Sequence, residues 1–488
     1  MTLSRVEDPL FDRYGMPIIQ EPNSLNGTIG ESEKSSLFHD FIPIVPNEDL
    51  DRKLVSFQGN KQQGFHNWVK YKEGFSEKLV SYFIENSKFE TGTIFDPFSG
   101  SGTTLLTSIK NKFSFIGFEI LPPAILMAKA KIAASKVKIN ELNETYKNFV
   151  IKRNEINPGQ DDWFTHINIT KGAFSLENEK QIAVFKNYIR ESYLDDDIRT
   201  LLLVAGMSVL EGSSFTKKDG QYLRWDSKSG KTKTNRIIKD EILSFLSSLD
   251  KKINQIIKDI SLNSYNIYDN RKSYSLIEDS CLTGIISIPN DSVDLTITSP
   301  PYCNRYDYTR TYALEIAFLG TNEINIKKLR QQLLSATVES KSKIIDLKNY
   351  YSSRGFYDYF EKSFYLYSTN RRINEYIEFL EIQKNMNLLN NKNILGMIQN
   401  YLFESILLIG QISRITSKGG MVYIVNDNVQ YNGKELELDL IFSEIAHDFG
   451  LHIDKIWTLP KGKGNSSQQM KIYGRKELRK CVYVWRKI

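Results

Sequence analysis

Cysteine is scarce, with 3 in 488 residues (Cys281, Cys303 and Cys481), none in a Cys-x-x-Cys pair. This spacing gives no disulfide framework and no zinc site, and points to a reducing compartment. The 5 histidines are scattered and form no ligand cluster, so the chain is read as metal-free. No run approaches the ~18 apolar residues of a membrane span. The N-terminus is polar, without the apolar core of a secretory signal. The expectation is a protein of the bacterial cytoplasm with no membrane partner, and the abundance of Lys, Asn and Ile fits an AT-rich bacterial genome. Net charge is small too: 64 basic against 58 acidic residues leave +6. The total neither demands nor excludes nucleic acid, and only a local basic face would decide. The remainder is globular in kind, 41% apolar and 25% charged, and long enough for about three domains.

Two stretches carry chemistry. The first is Thr93-Ile94-Phe95-Asp96-Pro97-Phe98-Ser99-Gly100-Ser101-Gly102-Thr103-Thr104. It reads as a strand, a glycine turn that lets backbone approach a ligand, and a helix from about Thr103. The next strand, Phe113 to Phe118, ends in Glu119. An acid there can accept both hydroxyls of a ribose, as in dinucleotide folds; a solvated strand end is the plainer reading. The second stretch is Thr298-Ser299-Pro300-Pro301-Tyr302, after the apolar run Val293 to Ile297. Two prolines force the chain out of the sheet in a stiff turn. That turn presents a hydroxyl (Ser299), a free carbonyl (Pro300) and an aromatic face (Tyr302). Those groups suit a flat ring bearing an amine, although an ordinary strand end would look similar.

Together, the two stretches resemble the amino-methylating DNA methyltransferases of bacterial restriction–modification systems. In that family the DPFSGSGTT segment belongs to the S-adenosylmethionine pocket, and SPPY is the catalytic motif favoured by cytosine-N4 enzymes. The resemblance implies an α/β fold: a Rossmann-like S-adenosylmethionine-dependent methyltransferase sheet with two largely helical inserts. It implies S-adenosyl-L-methionine as cofactor, double-stranded DNA as substrate, and a cognate restriction endonuclease as a separate chain. Ser299, Pro300, Pro301 and Tyr302 become the candidate catalytic residues. The candidate cofactor residues are Phe75, Asp96, Pro97, Phe98, Ser99, Gly100, Gly102, Thr103, Thr104, Glu119 and Asp279. Phe75, and Trp68 beside it, precede the glycine motif where the family covers the methionine end of the cofactor; both also read as core aromatics. Asp279 follows a strand at Tyr274 to Ile277 and matches the family's adenine-binding acid.

The expected organisation is an arm at 1–50, the cofactor half at 51–149 and a candidate target-recognition insert at 150–270. A catalytic segment follows at 271–320, then a helical insert at 321–395 and closing strands at 396–488. Ser76 is placed as an N-cap, helix is read from Ala124 to about Val150 and over Leu201 to Leu210, and a closing hairpin pairs Ile453–Leu459 with Cys481–Trp485. A helix at Leu402–Ile415 is expected to stop at Gly419-Gly420, before a strand at Met421–Val425. Arg305, Arg224, Lys231, Arg354 and Lys463 are the candidate DNA contacts, in segments that mix cations with aromatics or amides. Gly230-Lys231-Thr232 mimics the end of a phosphate-binding loop, but that loop needs glycine where Trp225 stands.

In the resembled chemistry the amine displaces a neutral thioether, so no general acid is required. Hydrogen bonds to Ser299 and the Pro300 carbonyl would localise the amine's lone pair and aim it. The base must leave the duplex, and stacking on Tyr302 would return roughly 1–3 kcal/mol. Cys303 follows Tyr302 rather than proline, so a thiolate attack on the ring is not indicated. The rivals are adenine N6 as target, an RNA guanine-N2 enzyme, and an inactive binding protein. Serine rather than aspartate at position 299 argues against the first.

Overall fold

In the computed structural model, residues 42–219, 222–231, 237–262, 272–460 and 477–488 are described. Among these residues, eight strands form the central sheet: β1 Ile44–Pro46, β2 Thr93–Asp96, β3 Ser114–Phe118, β4 Tyr274–Ile277, β5 Val293–Thr298, β6 Thr416–Asp427, β7 Leu451–Thr458 and β8 Lys480–Lys487. Their spatial order is β1-β7-β8-β6-β5-β2-β3-β4. β4, β3, β2, β5 and β6 run parallel, β8 is antiparallel to both neighbours, and β1 is parallel to β7.

Both faces of the sheet are covered, so its strands carry apolar residues on both sides. β8 shows this with period two. Cys481, Tyr483 and Trp485 enter one core, while Val482 and Val484 enter the other. The second core packs under helices α1 Glu77–Ser87 and α2 Thr103–Lys110. Ser76 caps α1 as expected, its Oγ accepting from Leu79 N at 3.3 Å. The first core is roofed by the helices Ile344–Ser353, Tyr357–Thr369, Arg371–Asn385, Ile394–Ile415 and Leu438–Asp448. Most of the second insert therefore shares the core of the sheet.

The first insert is built differently. Its helices Leu176–Glu191, Asp196–Ser213 and Phe245–Leu262 form a separate apolar core. They share that core with α3 Pro122–Lys136, the helix Ile139–Lys152 and Ala313–Phe318. A short hairpin, Thr216–Asp219 with Tyr222–Trp225, rides on this body.

Two local expectations change. Residues 44–46 of the expected arm form edge strand β1, and Leu50 is buried. The helix ending at Ile415 passes straight into β6 at Thr416. Thr416 pairs with Val293 and Met421 with Leu295, so the residues between them bulge out, with Gly419 at φ +81. The glycines serve that bulge and do not stop the helix.

The course of the chain creates the site. From β2 it moves outward through β3 to β4, then returns to the other side of β2 as β5. At such a reversal the loops leaving the two neighbouring strands part and open a crevice at their carboxyl ends. β2 ends in the glycine turn and β5 in Ser299-Pro300-Pro301-Tyr302. Among the described residues no helix is long and apolar enough to cross a membrane. Among them, too, no three His, Cys, Asp or Glu side chains are grouped to hold a metal.

Candidate active site

Asp96 ties the two stretches together. Its Oδ1 accepts from Phe98 N at 3.0 Å and from Thr298 Oγ1 at 2.7 Å. Its Oδ2 accepts from Thr104 Oγ1 at 2.7 Å. One buried carboxylate thus fixes the glycine turn, the first turn of α2 and the end of β5. Burial pushes its pKa up to about 6, against the pull of these donors. Gly102, at φ +75, is the N-cap of α2. A Cβ there would lie 2.8 Å from Ala128 Cβ, so this glycine lets α2 approach α3. Gly117 on β3 does the same for the turn, since a Cβ would stand 2.2 Å from Ser99 Oγ. From behind, buried Lys131 donates to the Ser101 carbonyl at 2.5 Å.

Beyond the turn lies a cavity that opens to solvent. Phe75, Phe98, Phe118 and Leu334 give it apolar walls, and the backbone of residues 96–101 forms one side. Glu119 stands at its edge. Its Oε2 accepts from Gly100 N, and its Oε1 from Ile120 N and Leu121 N, all at 2.8 Å. Desolvation nevertheless pushes its pKa up to about 7. Asp279 lines the same cavity and is exposed, with Oδ1 accepting from Ser280 N at 2.7 Å. Of the sequence-derived cofactor candidates, all but Gly102 line this cavity. Trp68 does not; it is buried in the first insert's core and donates to Asp259 at 2.8 Å.

At the end of β5, Ser299 and Pro301 face the same cavity. Ser299 also lines a second cleft of about 1390 Å³, together with Pro300 and Tyr302. The Ser299 and Tyr302 hydroxyls are 3.5 Å apart, and burial holds the Tyr302 phenol well above its ordinary range. The rim of this cleft carries Arg52, Lys61, Lys70, Lys72 and Lys480. Asp427, which also lines it, pairs with Lys480 at 3.1 Å. Cys303 is fully buried, with its thiol pKa raised by desolvation. No nucleophile is poised there.

The sequence-derived DNA contacts do not converge on the cleft. Arg224 pairs with Asp219 at 2.7 Å, and Lys231 sits 3.6 Å over the Trp225 ring. Arg354 stacks on Tyr350 at 3.7 Å, while Arg305, at φ +68, donates to Asn390 at 3.0 Å. None of the four lines either cavity. Lys463 lies outside the described residues. Sequence reasoning missed the rim cations and Glu73, which accepts from the Tyr306 and Tyr312 hydroxyls. The alternation of cations and aromatics over Lys61, Phe65, Trp68, Lys70, Tyr71 and Lys72 was the available signal.

A family model described as DNA methylase matches residues 40–130. The type II methyltransferase M.BsoBI of Geobacillus stearothermophilus is 40% identical, over 93% of this chain and 92% of its own. M.AvaI of Nostoc sp., also a type II methyltransferase, is 38% identical over 100% of both chains. The type II methyltransferase M.MvaI of Kocuria varians is 23% identical over 62% of this chain and 69% of its own. No solved structure gives a significant match.

Proposed function

Because the chain belongs to the type II DNA methyltransferases, which take S-adenosyl-L-methionine as methyl donor, we propose that it methylates the exocyclic N4 amine of cytosine in duplex DNA after the base has left the helix. The observation that carries this reading is Ser299, which lines the acid-edged cavity and the cation-rimmed cleft at once. A hydroxyl at a wall shared by two cavities can hold an acceptor amine in one beside a donor in the other.

The residues of the first cavity fit the cofactor. Apolar walls at Phe75, Phe98 and Phe118 suit a flat nucleoside, and carboxylates at Glu119 and Asp279 suit ribose hydroxyls and an exocyclic amine. When bound, S-adenosylmethionine supplies a methyl carbon activated by a sulfonium, which departs as a neutral thioether. The protein's share is positioning. Ser299 Oγ and the Pro300 carbonyl accept from the target amine, and Tyr302 stacks on the ring. We read the sheet as a Rossmann-like methyltransferase sheet interrupted by two largely helical inserts.

The first insert is the candidate reader of bases. Its hairpin packs against the helical turn Tyr308–Thr311 just past Tyr302. Lys72 on the cleft rim donates to the Lys218 carbonyl of that hairpin at 3.0 Å. The second reading is adenine N6, favoured only by the family model's breadth; serine at 299 weighs against it. A cognate endonuclease on a separate chain follows from reading this one as a modification enzyme.

Nucleoside mass spectrometry of DNA from cells expressing the chain, with Ser299→Ala beside it, is the test. N4-methylcytosine that vanishes in the variant is the expected result. N6-methyladenine would replace the base assignment, and no modified base would overturn the reaction.

A further inference from the structure

Among the described residues, the two cavities share four lining residues: Glu73, Gly74, Ser299 and Tyr308. A methyl group passing from one cavity to the other must pass this wall. Glu73 is its sole charged member. Both of its carboxylate oxygens are held, Oε1 by the Tyr306 hydroxyl and Oε2 by the Tyr312 hydroxyl. Burial, and with it the carboxylate of Glu73, keeps both phenols well above their ordinary range, so both remain hydrogen-bond donors. The support is closely packed. Tyr312 stacks on Tyr71 at 5.2 Å, and the Tyr71 ring stands 3.2 Å from where a Gly100 Cβ would be.

Neutral hydroxyls orient a carboxylate without cancelling its charge. Of the buried carboxylates nearby, Glu315 has its cation, Lys218, in a buried ion pair at 2.5 Å, while Asp96 and Glu119 are held, like Glu73, by neutral donors. Among the described residues, no lysine or arginine pairs with Glu73 in this way. A half-buried carboxylate at the throat of a cavity, held by phenols and, among the described residues, attracted only at longer range by the neighbouring Lys72, is suited to receive a cation.

We propose that Glu73 is the counter-charge for the cofactor's sulfonium, so that the site selects the charged methyl donor over its neutral thioether product. This rests on reading the first cavity as the cofactor site. It gives Glu73 two consequences: the donor is held with its charged centre at the wall beside Ser299, and the product loses that attraction once the methyl has left.

The test is equilibrium binding of three ligands to the full-length protein, without DNA: S-adenosylmethionine, sinefungin (an amine-bearing cationic analogue) and S-adenosylhomocysteine, which is neutral at sulfur. Glu73→Gln should weaken both cations about tenfold, as expected for one partly screened charge, and leave S-adenosylhomocysteine within about twofold. Equal weakening of all three, or no weakening, overturns the proposal. Should Glu73→Gln fail to fold by circular dichroism, Glu73→Asp is read instead. It keeps the charge and should keep the preference for the cations; a preference abolished there overturns the proposal as well. Wild-type protein that binds none of the three, or binds them undisturbed by Asp279→Ala, would instead overturn the reading of the cavity. Normal wild-type binding with an unchanged preference in Glu73→Gln removes only the role of Glu73.

Discussion

The cavities that meet at Ser299 are opposites in charge. Among the described residues, the first is lined by Glu73, Asp96, Glu119 and Asp279, with no lysine or arginine. The second is ringed, among the described residues, by Arg52, Lys61, Lys70, Lys72 and Lys480, against two acids, Glu73 and Asp427. On the proposed reading, the split suits the two reactants, a cationic nucleoside and a polyanionic phosphodiester chain. A net charge of +6 conceals it, because the acids and bases are sorted by cavity. Changes on one side should leave the other side's ligand alone.

The wall itself is the exception and should give the largest effect. Ser299→Ala removes a hydroxyl that faces both cavities. Turnover should fall about 10²–10³-fold, the usual loss for one preorganised polar group at a reacting centre. Binding of both S-adenosylmethionine and DNA should stay within about twofold. Single-turnover kinetics beside the two binding constants would check this. A variant that lost cofactor affinity in proportion to rate would make Ser299 a binding group and blur the comparison.

The next effect should lie on the basic side alone. Arg52, Lys61 and Lys70 are exposed on the cleft rim. Changing all three to glutamine should weaken DNA binding about 10–100-fold at moderate salt and reduce the salt slope by about 2–3. Cofactor affinity should not move. Arg224→Gln and Arg354→Gln in parallel would show whether the inserts add contacts; if those variants lose more than the rim variant, the cleft is not the main path of the duplex.

The contrast also marks how far the sequence could be read. The strand–turn–helix at Thr93 to Thr104 and the proline turn after β5 were legible, because glycine and proline punctuate the chain in ways few other residues do. Their meeting was legible only through the resemblance, since the Thr298–Asp96 contact spans 202 residues. Asp96 was read as a cofactor residue; it lines the first cavity and also accepts from three donors of the protein itself, a structural role the sequence did not announce. The cations and Glu73 escaped because a charge takes its meaning from what surrounds it. Five cations drawn from residues 52–72 and from Lys480 become one rim only after β8 has threaded between β6 and β7. Gly419 and Gly420 misled for a related reason: a glycine marks a break in regularity without saying whether a helix ends or a strand bulges.

On the acidic side, pH sharpens the comparison. Glu119 has its carboxyl pKa raised from 4.5 to about 7. A raised carboxylate stabilises the fold fully below its ordinary pKa, and that contribution is lost as pH rises through about 7. The ionised form is also the better acceptor for ribose hydroxyls. Cofactor affinity should therefore tighten roughly tenfold from pH 6 to 8, while stability without cofactor declines. Glu119→Gln should flatten both trends, as read by cofactor titration and thermal melts over the same pH range. DNA binding in this range should not follow Glu119.

The smallest effect should come from Cys303, although it adjoins Tyr302. A carbon-5 mechanism would need its sulfur exposed and ionised next to the target ring. The thiol is instead fully buried, and desolvation holds it above its ordinary pKa. Its backbone has a separate task, as the Cys303 carbonyl accepts from the Tyr431 hydroxyl at 2.9 Å. Cys303→Ala keeps that bond and leaves only a small void, so stability should fall by about 1–2 kcal/mol. Methylation per folded molecule should stay within about threefold, well inside the loss expected of a nucleophile. Loss of all methylation in a folded Cys303→Ala protein would move the chemistry from the shared wall to the thiol, and the pairing of an acidic with a basic cavity would no longer describe the reaction.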